Sequence, residues 1–385
     1  MFVERLKLTN FKNYDELEVS FSNNVNCFVG NNGVGKTNLL DALYYLSFCK
    51  SCFTSSDVQN IKHGADFFAI HGYYSLDGND DELSQVSCVL QVGHPKKMKF
   101  NKKTYSTFAE HIGKIPLVMV TPGDHSIILG GSDVRRKFVD GIISQTDTGY
   151  LHHLLAYSKA LEQRNALLKQ FFDNRYFDEP AISLWDEQLL AHGNVIMESR
   201  NRFVAEFIPL FEQYYFLIYP GAAESEKPQL EYCCNIEENG AASMSSESFA
   251  AVLSSLRKRD AFLQYTSAGP HKDDFDFKIG DVSVKRFGSQ GQQKTFLLAL
   301  KLAQFDYLCS HLHVKPILLL DDVFDKLDMN RVRQLVMLVA SERFGQVFIT
   351  DTQQGRVESI FEQASNIPHS IFSVCDGRLT GISTV

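Results

Sequence analysis

Apolar and polar side chains alternate through the first hundred residues with the period of two that a half-buried strand needs. Phe2–Leu8, Leu17–Phe21 and Val25–Val29 are expected strands, and Val86–Val92 and Lys97–Tyr105 follow, with Asn101-Lys102 at a hairpin tip. After Asp133 the period lengthens. Apolar and aromatic residues recur at three and four over Arg135–Ser144, Tyr150–Phe172 and Ala181–Phe216, which predicts long helices. Glu224–Ser248 is rich in Glu, Ser, Ala and Gly and reads as a solvent-facing excursion. Strand signals return at Phe275–Ile279, before a turn at Gly280-Asp281, and Pro316–Leu320 and Gln346–Thr350 are short apolar runs of the buried-strand kind. No internal repeat is visible, and no heptad run is long enough for an extended coiled coil.

Two motifs sit where this pattern gives them meaning. Gly30-Asn31-Asn32-Gly33-Val34-Gly35-Lys36-Thr37 follows the strand Asn26–Val29 and precedes the expected helix Asn38–Ser47, the context a phosphate-binding P-loop requires. Its glycines let backbone N–H groups curl around a β-phosphate at a helix N-terminus, Lys36 neutralises β- and γ-oxygens, and Thr37 offers a hydroxyl to Mg²⁺. The matching carboxylate should end a buried strand, and Ile317-Leu318-Leu319-Leu320-Asp321-Asp322 supplies it. Asp321 is the expected Mg²⁺ ligand, and Asp322 is expected to orient or deprotonate the attacking water of ATP. Many such ATPases carry Glu at the second position; the shorter Asp withdraws the carboxylate by about 1.5 Å, so slow hydrolysis is expected.

Length and charge narrow the setting. The 385 residues, 44% of them apolar, suffice for roughly two to three domain-sized units. Glu4, Arg5 and Lys7 stand where a secretory leader would need an apolar run, and no segment reaches the roughly 18 apolar residues of a membrane span, so a soluble cytoplasmic protein without membrane partners is expected. The eight cysteines form no dense framework, and Cys49-x-x-Cys52 lacks a second pair to complete a zinc site. A net charge of −8 excludes a protein that coats nucleic acid with its whole surface. Three basic clusters stand out against it: Lys96, Lys97, Lys99, Lys102 and Lys103; Arg135, Arg136 and Lys137; Arg257, Lys258 and Arg259. Each alone reads as a solvated face.

Most of the chain separates Lys36 from Asp321, so something large is inserted between the two motifs. Just before the second, Phe287-Gly288-Ser289-Gln290-Gly291-Gln292-Gln293-Lys294 resembles the signature motif of ABC and SMC-type heads, with Ser289, Gly291 and Gln292 at three of its four core positions. Ser289 is placed to cap an expected helix Thr295–Leu308. Val323-Phe324-Asp325-Lys326-Leu327-Asp328 looks like the D-loop that follows, and Thr350-Asp351-Thr352 stands where such heads carry a switch histidine. The resemblance implies an α/β, ABC/SMC-type P-loop ATPase head. Lobe I, a mixed sheet with helices, takes residues 1–125 with 266–385, and an inserted α-helical lobe II takes 126–265.

Further stretches are similar to the RecF family: Leu8–Tyr14, Lys36–Ala42, Arg135–Asp140, Tyr157–Asn165 with its Gln163-Arg164-Asn165, Gly269–Asp274, and Leu319–Phe324. Together they run from residue 8 to beyond 320. This similarity implies ATP-driven homodimerisation, with Ser289, Gly291, Gln292 and Asp328 acting across the interface on the partner's nucleotide. It implies that Lys12, Asn13 and Asn38 join residues 30–37 around ATP. It also implies binding to single-strand/double-strand junctions and gaps in DNA, cooperation with RecR and RecO, loading of RecA, and a weak DNA-stimulated ATPase. In that setting Lys102, Lys103, Arg135 and Arg136 become the DNA-contact candidates. Two departures from the pattern are visible: Lys50-Ser51-Cys52-Phe53 stands where many relatives have an Arg, and Val120–Asp124 lacks the Q-loop glutamine, leaving Asp124 in its place. Two other readings compete, an ABC-type ATPase serving a protein or transport partner and a nucleotide-gated binding module with negligible turnover.

Overall fold

The computed structural model describes all residues except 77–82, 239–240, 243–245, 325–328, 354, 357–358, 360, 362–367 and 385. The chain divides into two units, residues 1–124 with 301–385, and residues 125–300.

The first unit opens on β1 (Phe2–Phe11) and β2 (Tyr14–Ser20), paired antiparallel. Leu6 opposes Val19 and Leu8 opposes Leu17, all four buried, while Lys7 opposes Glu18 on the outer face, where Arg5 and Lys7 both meet its carboxylate. That alternation is what the sequence pattern requires of a sheet packed on one side. Then come β3 (Val25–Val29), α1 (Lys36–Phe48), β4 (Phe67–Ser75), β5 (Ser84–Gln91), β6 (Lys97–Phe100), β7 (Lys103–Thr104) and β8 (Leu117–Val120). Six of these strands form an antiparallel sheet in the order β2-β1-β4-β5-β6-β7.

The second unit begins with α2 (His125–Leu129), α3 (Ser132–Thr146), α4 (Thr148–Asn174) and α5 (Glu179–Ile218). Asp147 and Asp178 cap α4 and α5 by accepting the N–H groups of Tyr150 and Ala181. Next are β9 (Pro228–Cys233), β10 (Glu237–Glu238), β11 (Ala241–Ala242), α6 (Ser246–Leu263), β12 (Asp274–Ile279), β13 (Val282–Ser283) and α7 (Val284–Phe287). The sequence pattern predicts a solvent-facing excursion over Glu224–Ser248; in the structure β9 pairs with β12 along its whole length and buries Leu230 beside Phe275 and Phe277. Only every second residue of β9 faces inward, and the Glu- and Ser-rich flanks hide that short alternation. The same pairing explains why residues 266–300 pack with the second unit, so that the return to the first falls at 301 and not at 266.

Helix α8 (Gln290–Leu312) carries the chain from one unit into the other. It starts five residues before the expected Thr295. Beyond it lie β14 (Ile317–Leu320), α9 (Met329–Val339), β15 (Val347–Asp351), β16 (His369–Cys375) and β17 (Arg378–Thr384). These strands build the first unit's second sheet in the order β17-β16-β3-β15-β14-β8, parallel except for β17. Strands β3, β14 and β15 are buried at every position because neighbours flank them and both faces are covered, hence their unbroken apolar runs. Helix α1 and both sheets share one core, in which Phe21, Phe28, Phe348 and Phe372 meet ring to ring.

Candidate nucleotide-binding site

Strand β3 delivers residues 30–35 as a loop, and α1 starts at Lys36 with no acidic residue in its first turn. Gly35 has φ +116, and a Cβ there would lie 2.4 Å from Asn13 Nδ2, so conformation and space both demand glycine. The loop's carbonyls are held from outside. Asn13 Nδ2 and the Gly377 N–H donate to Val34 O, each at 3.0 Å, and Tyr14 OH donates to Gly35 O at 3.1 Å. Asn38 Nδ2 donates to Asn13 Oδ1 at 2.8 Å and locks that brace to the helix. A loop fixed this way can turn successive N–H groups toward an anion at the positive end of α1. Lys36 is only 4% exposed, and its ammonium donates to Gly30 O at 2.8 Å and Asn31 O at 2.9 Å, spanning the loop.

At the end of β14, Thr37 and Asp321 meet although 284 positions separate them: Thr37 Oγ1 donates to the carboxylate at 2.8 Å. Thr350 Oγ1, on the adjacent β15, donates to the same Oδ1 at 2.9 Å. Burial raises the Asp321 carboxyl above its ordinary range; the hydroxyls of Thr37 and Thr350 and the charge of Lys36 oppose that, while Asp322 adds to it. A hydroxyl and a desolvated carboxylate in contact are hard oxygen donors suited to Mg²⁺. Asp322 follows with φ +45, and its N–H donates to Thr350 Oγ1 at 2.9 Å. Thr350 is buried and its hydroxyl meets both Asp321 and the Asp322 N–H, while Thr352 is exposed. Asp351 accepts a two-pronged contact from Arg356, and its carbonyl takes the Gly30 N–H at 3.3 Å.

Lys12 meets a carboxylate of the same unit. Its ammonium lies 2.5 Å from the fully buried Asp41 of α1, a carboxylate that also accepts from Ser51 Oγ at 2.7 Å and Cys52 N at 2.8 Å. Asp41 thereby ties Lys12 to the Lys50–Phe53 segment, a link with no local sequence signal. Asp124 accepts from Thr121 N and pairs with Lys301 at 2.9 Å. Cys49 is buried, Cys52 exposed, and both are free thiols.

In the second unit Ser289 and Gln292 form a reciprocal cap at the head of α8: Gln292 N donates to Ser289 Oγ at 3.2 Å and Ser289 N to Gln292 Oε1 at 3.0 Å. Ser289 and Gly291 are exposed, and nothing stands within 4 Å of a Cβ built on Gly291. The helix end is therefore open to an anion from solvent. Asp328 lies outside the described residues.

The basic clusters separate. Lys102 and Lys103 are exposed at the β6–β7 tip. Lys96 instead turns inward onto Asp57 and Cys49 O, each at 2.6 Å. Arg135 is only 8% exposed and makes a bidentate pair with Asp274 at 2.7 and 2.9 Å, and Arg136 donates to Asp273 O. These two arginines thus join α3 to the Gly269–Asp274 segment.

That segment is a structural hub. Gly269, at φ +125, would put a Cβ 2.6 Å from Tyr157 OH. His271 takes Tyr157 OH at 2.7 Å and faces Thr266 O through its other nitrogen at 3.0 Å; burial drives its pKa down to about 4, which keeps it neutral. Arg200 forks onto Asp140 with both bonds at 2.9 Å and reaches Pro270 O at 2.7 Å. Arg164, fully buried, reaches Asp186 at 2.6 Å, Asp260 at 2.8 Å and Thr266 at 2.9 Å, while Asn165 accepts the Thr266 N–H and hydroxyl. The stretches that carry the sequence resemblance here hold helices together.

A P-loop braced on a buried sheet, a Thr–Asp contact joining its helix to the end of β14, and a helical insertion between the two motifs define a P-loop ATPase head of the ABC/SMC class. The model of the RecF/RecN/SMC N-terminal domain matches residues 2–371. DNA replication and repair proteins RecF of Phocaeicola vulgatus and Flavobacterium johnsoniae are each 46% identical, over 99% and 97% of this chain and 98% and 100% of their own. The chain belongs to the RecF family. A solved structure of the recombination mediator RecF with ATP in the RecFOR pathway superposes with TM-score 0.86 at 28% identity, covering 100% of this chain and 97% of that one. An Smc head from Pyrococcus furiosus, at 18% identity and TM-score 0.55 over 100% of this chain and 96% of its own, shares the fold alone. No helix among the described residues is long and apolar enough to cross a membrane.

Proposed function

We propose that this chain is an ATP-gated DNA-binding protein of recombinational repair in the cytoplasm. ATP bound by residues 30–37 of one protomer is closed over by the Ser289–Gln292 helix end of a second copy. The closed homodimer holds DNA at gaps and single-strand/double-strand junctions and, with RecR and RecO, promotes loading of RecA. The observation that carries this reading is the Thr37–Asp321 contact, which makes one site of two motifs 284 positions apart. The ATP-bound relative and the exposed cap at Ser289 support the rest. Mg²⁺, held by Thr37 and Asp321, would supply positive charge against the phosphate oxygens. Lys36 binds and orients the β- and γ-phosphates, Asp322 takes a proton from the attacking water, and Lys102 and Lys103 meet DNA phosphates. Hydrolysis reopens the dimer.

Asp322→Asn tests the catalytic part. It spares Asp321 and removes only a proton acceptor, so turnover should fall by about 10²–10⁴-fold while ATP still binds and the dimer persists. ATP hydrolysis measured with and without gapped DNA decides it, and undiminished turnover would sink the role. A second reading, a gated binding module with negligible turnover, is favoured by the short side chain at Asp322; it requires that wild type hydrolyse no ATP even on gapped DNA.

A further inference from the structure

We infer that Thr350 is the positioning residue of this hydrolysis, its single hydroxyl tying the Asp321 carboxylate to the Asp322 amide so that the second carboxylate is aimed at water. The inference rests on the ATPase reading above and deepens it. A threonine hydroxyl has one proton to give and lone pairs to receive. Here both functions are used within 2.9 Å: the proton goes to Asp321 Oδ1, and the Asp322 N–H comes in. The residue is fully buried and lies on β15, whose registers with β3 on one side and β14 on the other fix it to the sheet that also carries the P-loop. A β-branched side chain in such a place has little rotamer freedom.

The clamp explains a feature that the sequence leaves as a departure. Asp322 has φ +45, in the left-handed region that Asp and Asn enter several-fold more readily than other non-glycine residues. The left-handed turn, held by the Thr350 hydroxyl, therefore favours Asp over the longer Glu at this position. In the reaction the water oxygen bonds to the γ-phosphorus as the bond from that phosphorus to its bridging oxygen breaks. The water's proton passes to the Asp322 carboxylate, and the bond pair leaves on ADP. Asp322 performs the proton transfer and Thr350 sets its aim, so Thr350 should matter for kcat and little for ATP binding.

Thr350→Val keeps the shape and removes the hydroxyl. In the full-length chain with ATP, Mg²⁺ and gapped DNA, its kcat should fall by about tenfold to a hundredfold, with KM within about twofold of wild type. Thr350→Ser, which restores the hydroxyl, should recover most of that loss. Amide hydrogen exchange at Asp322, read without nucleotide, should accelerate at least about tenfold in the valine variant and return toward wild type in the serine one. A strand residue with only a packing role would give equal kcat for valine and serine variants and an unchanged Asp322 amide, and either result overturns the inference. Wild type that binds ATP without turning it over overturns the hydrolysis reading and the positioning role together. An active wild type beside an equally active valine variant overturns the positioning role alone.

Discussion

Lys36→Met is expected to abolish ATP-dependent dimerisation and, with it, ATP-dependent DNA binding. Lys36 is the only charged side chain in residues 30–37, and its ammonium sits at the head of α1 bonded to Gly30 O and Asn31 O. Methionine fills the same buried path without the charge. Hydrogen bonds to charged groups contribute about 1.5–3 kcal/mol each, so losing one or two toward phosphate oxygens lowers nucleotide affinity by roughly tenfold to well over a thousandfold. The fold should survive, because a buried ammonium no longer has to be desolvated and this offsets the two carbonyl bonds lost. Titration with a fluorescent ATP analogue checks it, and unchanged affinity would mean that residues 30–37 do not form the nucleotide site.

The second large effect is on stability. Arg164→Ala should destabilise the second unit by about 3–5 kcal/mol, the cost of breaking a buried charge network by removing one partner. Arg164 is fully buried between Asp186 on α5 and Asp260 on α6, and Thr266 shares the guanidinium. Without it two carboxylates stay in the core; Asp186 retains Arg257 at 2.7 Å, and Asp260 retains the neutral N–H and hydroxyl of Ser267. Lysine should rescue only in part, since a single ammonium nitrogen replaces the two spaced nitrogens, Nε and Nη1, that meet Asp186 and Asp260. Urea unfolding followed on a helix signal should show the loss. Lys137→Ala, which breaks an exposed pair with Asp133, is the control and should unfold like wild type. An Arg164→Ala midpoint equal to the control's would show that the network is dispensable.

What the sequence made legible was local. Strand, glycine loop and helix at residues 25–48 are contiguous, and four aliphatics before Asp321 announce a buried strand end without knowledge of its neighbours. The Asp322 position could be read the same way, but not its left-handed backbone, which depends on a hydroxyl 28 positions later. Arg135 and Arg136 looked like a basic surface because their partners are 139 and 137 positions away. The tie between Lys12 and Asp41 was out of reach for the same reason, the two lying on different elements. Gln163-Arg164-Asn165 and Gly269–Asp274 could be recognised as distinctive yet not as a scaffold, since a buried ion network and a surface charge cluster have the same composition. Strand β9 was lost because its inward alternation is short and its flanks are polar.

The proposed nucleotide site is composite, completed by the Ser289 end of α8 from a second copy. Ser289→Arg tests it most directly, because it leaves residues 30–37, Asp321 and Asp322 untouched while placing a long side chain at an exposed helix cap where a partner's γ-phosphate should dock. Light scattering with ATP and Mg²⁺, beside a nucleotide titration, gives the answer. Wild type should pass from monomer to dimer on adding ATP, and the variant should bind ATP within about twofold of wild-type affinity yet remain monomeric, since loss of one dimer contact does not touch the loop that holds the phosphates. A variant that dimerises as wild type does, or a wild type that stays monomeric with ATP, would contradict it.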